Sequence, residues 1–83
     1  MWQQGRNDPS FHYIERNHFR LGVSTRAKNG ILEGRVCSWN VTIYFHHWNY
    51  GYVQINNVFV GTLNEAKQYA ENELRNLKED MEI

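Results

Sequence analysis

The most regular stretch of the chain runs from Cys37 to Phe45, where Cys37, Trp39, Val41, Ile43 and Phe45 alternate with Ser38, Asn40, Thr42 and Tyr44. A period of two puts the first set on one face of a β-strand and the second on the other. Such alternation belongs to an antiparallel sheet covered on one side, since a parallel strand buried on both sides reads as an unbroken apolar run. After this strand, His46-His47-Trp48-Asn49-Tyr50-Gly51 reads as a loop, followed by two short strands joined at Asn56-Asn57. Asn tolerates the positive φ that a two-residue hairpin demands. That hairpin sets Ile55 opposite Val58 and Val53 opposite Val60 on the core face, with Gln54 opposite Phe59 and Tyr52 opposite Gly61 on the other.

The period then changes. Thr62 and Glu65 have the spacing of a capping box, and Leu63, Ala66, Ala70, Leu74, Leu77 and Met81 recur in steps of three and four along one side of a helix. Glu65, Gln68, Glu71, Asn72, Arg75, Asn76, Lys78, Glu79 and Asp80 surround that stripe as a solvated face. Upstream, Phe19, Leu21 and Val23 alternate as a strand and Phe11 to Ile14 predicts another. The Asp8-Pro9-Ser10 and Arg26–Gly30 stretches carry turn chemistry. Residues 1–10 read as a loose lead-in. The expected fold is α+β: an antiparallel sheet of three to five strands with one C-terminal α-helix packed on one face, a single domain over residues 1–83.

Length and composition narrow the class. At 83 residues the chain suffices for one small core without requiring disulfides or metal. Its single cysteine, Cys37, lies on the apolar face of its strand, which predicts a buried, inert thiol and a cytoplasmic protein. No apolar run approaches the roughly 20 residues of a membrane span, and the opening residues lack the order of a signal peptide, so no membrane partner is expected. Net charge is zero but unevenly distributed: residues 1–61 carry six basic against three acidic residues, and residues 62–83 carry three against six. This predicts a weakly basic sheet side and an acidic helix side.

Candidate chemistry is sparse. His12, His18, His46, His47 and Cys37 are potential metal ligands, but adjacent histidines on an extended chain point apart and no ligand pair has the spacing of a site, so no metal and no cofactor is expected. Neither Cys37 nor Ser10, Ser24 or Ser38 sits in a nucleophile turn, and there is no phosphate loop, so the chain is not expected to be an enzyme. Aromatic residues are the surplus. Tyr44, Tyr52 and Phe59 fall on the face the helix does not cover, either as a second core beneath Trp2 and residues 11–25 or as an exposed platform. With His46, His47, Trp48 and Tyr50 of the loop they are candidate binding residues. Glu79, Asp80 and Glu82 join them, because acids crowding a helix C-terminus oppose the helix dipole. They serve either to keep the chain end soluble or to meet a basic partner surface in place of phosphates.

Two resemblances bear on function. The stretch Phe59-Val60-Gly61-Thr62-Leu63-Asn64-Glu65-Ala66-Lys67-Gln68-Tyr69-Ala70 resembles the last strand and helix of double-stranded-RNA-binding domains, whose helix opens with an Ala-Lys pair. Asn64-Glu65 stand where that family places lysines, so RNA binding carries over to Lys67 alone. The whole chain, a short Asn- and aromatic-rich domain with one late helix and no catalytic signature, is similar in type to small phage or mobile-element inhibitors, anti-CRISPR proteins among them, which share no motif. That resemblance implies a non-enzymatic protein-binding module, an inhibitor of a bacterial defence or regulatory complex acting in the host cytoplasm. The alternative is nucleic-acid binding through the aromatic face with Arg16, Arg20, Arg26, Lys28 and Arg35. A homodimer through a sheet edge or face competes for the same surfaces.

Overall fold

The computed structural model describes residues 2–6, 10–16, 19–25 and 34–80. They form β1 (Gln3–Gln4), β2 (Phe11–Glu15), β3 (Phe19–Ser24), β4 (Cys37–His47), β5 (Gly51–Gly61) and α1 (Leu63–Asp80). The strands lie in the order β1-β2-β3-β4-β5, each antiparallel to its neighbour in sequence. Helix α1 packs across β3, β4 and β5 on one face. The fold is therefore the expected α+β arrangement of an antiparallel sheet with one helix.

The core lies between those two layers. Trp39, Val41, Ile43 and Phe45 of β4 are buried beside Ile14 of β2 and Leu21 and Val23 of β3, beneath Ala66, Ala70 and Leu74 of α1. The alternation of β4 is thus realised residue by residue. Because Ala66 and Ala70 add little volume, the strands supply most of the core, with Trp39 its largest fully buried side chain. Burial of an indole requires a partner for its N–H, and Trp39 Nε1 donates to the Gly61 carbonyl at 3.0 Å. The helix begins as its sequence dictates: the Glu65 amide donates to Thr62 Oγ1 at 3.2 Å, and the Thr62 amide donates to Glu65 Oε1 at 2.9 Å. Leu63 and Leu77 extend the buried stripe; Met81 lies outside the described residues.

Two expectations are corrected and one open alternative is decided. Asn56-Asn57 is not a turn: both lie mid-way along β5, Asn56 opposite Thr42 and Asn57 opposite Val41. The hairpin turns instead at Trp48-Asn49-Tyr50, ahead of Gly51 at φ 77°, a conformation glycine adopts without a Cβ penalty. A continuous strand keeps one parity throughout, whereas the expected turn would have reversed it after Asn57. Consequently Phe59, not Val58 or Val60, faces the helix. Second, of the two alternatives left open for the aromatic face, the described strands Phe11–Glu15 and Phe19–Ser24 decide against a cover: they widen the sheet. Third, the described start of the lead-in, residues 2–4, is tied down. Gln3 and Gln4 pair with Tyr13 and His12, and Trp2 packs against the core with its Nε1 donating to Glu71 Oε1 at 2.8 Å. The Lys67 ammonium lies 5.9 Å from the centre of the Trp2 ring, within range of a cation–π contact.

Candidate functional site

The face of the sheet turned away from α1 follows from strand parity. Where Leu21, Val23, Val41, Ile43 and Phe45 point to the helix, their neighbours Arg20, Gly22, Thr42, Tyr44 and His46 point the other way. The register places Arg20 opposite Tyr44, Tyr44 opposite Gln54, and His46 opposite Tyr52. Among the described residues no element covers this face.

Its chemistry is divided along the strands. Tyr44 and Tyr52 stack with ring centroids 5.4 Å apart, and His46 meets Tyr52 edge-on at 4.9 Å. Beside them Arg20 Nε donates to Glu15 Oε2 at 2.7 Å, a pair reinforced by the second guanidinium nitrogen. Glu15, Arg16, Phe19, Arg20, Tyr44, His46 and Tyr52 line an open depression of about 520 Å³. On the other side of the Glu15–Arg20 pair, Phe11 and Tyr13 stack at 5.6 Å, and the Tyr13 hydroxyl donates to Gln3 Oε1 at 3.0 Å. The Phe11 ring lies over Gly22, where a Cβ would approach it to 3.2 Å. A polar patch adjoins the tyrosines, with Thr42 Oγ1 donating to Asn56 Oδ1 at 3.2 Å. Beyond it Val58 and Val60 are two-thirds exposed.

The hairpin tip carries a separate pair of exposed aromatic side chains, packed on a histidine whose strand parity is that of Phe45. His47 is only 3% exposed, and its Nδ1 accepts the amides of Asn49 at 3.0 Å and Tyr50 at 3.2 Å. An Nδ1 that accepts two amides carries no proton, which places the imidazole proton on Nε2. The ring also packs against Trp48 and Tyr50, at 5.6 and 4.7 Å, which themselves project into solvent at 78% and 69% exposure. One buried imidazole therefore organises two exposed aromatic side chains.

The candidate residues are only partly brought together. Tyr44, His46 and Tyr52 converge on the open face, whereas Trp48 and Tyr50 pack on His47 at the hairpin tip. His47, expected among the binding residues of the loop, is instead buried as an internal support of the turn. Phe59 is removed from this surface: it lies on the helix side, stacked on Tyr69 at 4.8 Å. Glu79 and Asp80 are exposed in the last turn of α1. The neighbouring Lys78 ammonium lies 4.8 Å from the Phe19 ring, which brings these acids to the same end of the sheet as the tip but on the helix side. Glu82 lies outside the described residues. Glu15, Phe11 and Tyr13 went unrecognised, although the alternation of Phe11, Tyr13 and Glu15 with Ile14 placed all three on one face. Among the described residues no three His, Cys, Asp or Glu side chains assemble as a metal site requires, and no helix is long and apolar enough to cross a membrane. The chain matches no protein-family model, no curated protein and no solved structure.

Proposed function

We propose that the protein is a non-enzymatic binding module that seats a protein partner on the open face, at the end formed by Tyr44, His46, Tyr52, Trp48 and Tyr50. The observation that carries this reading is the Tyr44–Tyr52 stack, met edge-on by His46, on an uncovered sheet face, together with two aromatic side chains exposed at the adjoining hairpin tip. Tyr and Trp bury large areas at low rotamer cost and dominate the energetic centres of interfaces. A rigid sheet with a buried imidazole behind its turn reduces the ordering cost of presenting them. The resemblance of type extends the proposal to a bacterial defence or regulatory complex as the target. The test is capture from bacterial lysate by the wild type and by two double variants, Tyr44→Ala/Tyr52→Ala and Trp48→Ala/Tyr50→Ala. A partner retained by the wild type and lost by both variants supports the reading; equal retention by all three sinks it.

The position of Arg16 at the rim of the depression beside the Tyr44–Tyr52 stack favours a second reading, a single-stranded nucleic acid with a base in the depression and its phosphate on Arg16. Base stacking on an aromatic ring contributes about 1–3 kcal/mol, and phosphate contacts make affinity fall with salt. Mobility shift with single-stranded DNA and RNA at low and high salt separates the two, since a salt-insensitive or absent shift removes this alternative.

A further inference from the structure

Strand β5 is an edge. It pairs with β4 along all eleven residues from Gly51 to Gly61, and among the described residues nothing pairs with its other side. Natural edges are protected by charge, by proline, by bulges or by shortness. The sequence Gly51-Tyr52-Val53-Gln54-Ile55-Asn56-Asn57-Val58-Phe59-Val60-Gly61 has no charged residue and no proline, and its ladder with β4 runs without a break. The opposite edge, β1, is two residues long. One edge is therefore blunted by shortness, and the other is left open along some 35 Å, taking about 3.4 Å per antiparallel residue.

We propose that this edge pairs with the same edge of a second copy, antiparallel and centred on Asn56. Self-complementarity is what selects a second copy over an unrelated peptide. With Asn56 opposite Asn56 of the second copy, every residue of the strand finds a partner, and no apolar side chain is set against a charge. On the open face Tyr52 meets Val60 and Gln54 meets Val58, which covers the exposed valines. On the helix side Val53 meets Phe59 and Ile55 meets Asn57. Val53, Ile55 and Phe59 are each only half-buried by α1 in one copy, so their remaining exposed surface is covered from the side. A shift of one residue would turn each strand's helix-facing residues against the other's open-face residues, and a shift of two in either direction leaves ends unpaired. The two-fold axis stands perpendicular to the sheet, so both helices lie on the same side and the two open faces merge. Association closes at two, because each copy has one long edge and the remaining β1 edge is too short to propagate a ladder.

The pairing is independent of what the open face binds, and its test does not use that face's aromatic residues. Sedimentation velocity over a concentration series is expected to show a dimer for the wild type. Asn56→Lys and Asn56→Asp each set like charges against one another at the two-fold axis. Either variant alone is expected to shift the monomer–dimer midpoint upward at least tenfold in concentration, with an unchanged far-ultraviolet dichroism spectrum. An equimolar mixture of the two restores association, which a folding defect in either variant would not do. Asn56→Cys, with the native cysteine replaced as Cys37→Ser, is expected to form a disulfide-linked dimer on mild oxidation. A wild type that remains monomeric throughout overturns the proposal. So does a dimer indifferent to both charge variants, which would place the contact elsewhere, and so does a heterologous peptide that occupies the edge while the chain itself remains monomeric.

Discussion

Gly61 shows how closely single positions are set. A Cβ there would fall 2.6 Å from Phe59 Cε2 and 3.0 Å from Glu65 Oε1, so an added methyl meets both a packed ring and the carboxylate that caps the helix. Gly61→Ala is expected to cost about 1–3 kcal/mol as an overpacking change, measured by urea denaturation. Gly22→Ala, whose Cβ meets only the edge of Phe11 at 3.2 Å, should cost less. His47→Phe keeps a ring beneath Trp48 and Tyr50 but removes the acceptor for two amides. The expected loss is about 1 kcal/mol, with Trp48 fluorescence altered because the turn no longer holds its geometry. The capping pair Thr62 and Glu65 was legible because it is local: both partners lie within four residues. The part played by His47 was not, because an imidazole becomes the acceptor of a turn only once the turn has been placed.

At the scale of elements, β4 and α1 could be read almost completely, since each carries a strong period and a one-sided stripe. Thr62→Ala is expected to destabilise the protein by about 1 kcal/mol through loss of the cap, detected as a lower thermal midpoint. Strand β5 was misread because Asn56-Asn57 has the composition of a hairpin turn, and local turn preference outweighed the uninterrupted ladder that β4 offers. Asn57 sits half-buried opposite Val41, where a β-branched residue suits a pleated surface better. Asn57→Val should therefore raise stability by up to about 1 kcal/mol, whereas a pair genuinely in a turn would lose stability on the same change. Short strands such as β1 carry too few residues for any period to emerge, and only the pairing with Tyr13 and His12 reveals it.

Taken whole, the molecule separates its charges. Four of the described basic residues, Arg6, Arg16, Arg20 and Arg35, precede the helix with one described acid, Glu15, while Glu79 and Asp80 join Lys78 in its last turn. Replacing both acids by Lys removes their repulsion with the helix dipole. The expected result is a slightly raised thermal midpoint with partner capture unchanged, and loss of capture would instead assign these carboxylates to a basic partner surface. The candidate site was half legible at this scale: sequence placed Tyr44 and Tyr52 on one face but put Phe59 with them and read His46 as loop, and whether that face was exposed depended on how the segment before β4 packed.

The meander has a consequence for how the chain acquires this shape. Every strand pairs with the one made just before it, so the sheet can assemble in step with synthesis, and each ladder closes only a short loop. The helix that shields Trp39, Val41 and Ile43 is made after all five strands, and the Trp2–Glu71 hydrogen bond joins positions 69 residues apart. A nascent chain halted before Leu63 therefore presents a bare apolar sheet together with the open edge of β5, the combination on which chaperones and aggregation both act. Docking of α1 covers the apolar face and leaves the edge of β5 as it was.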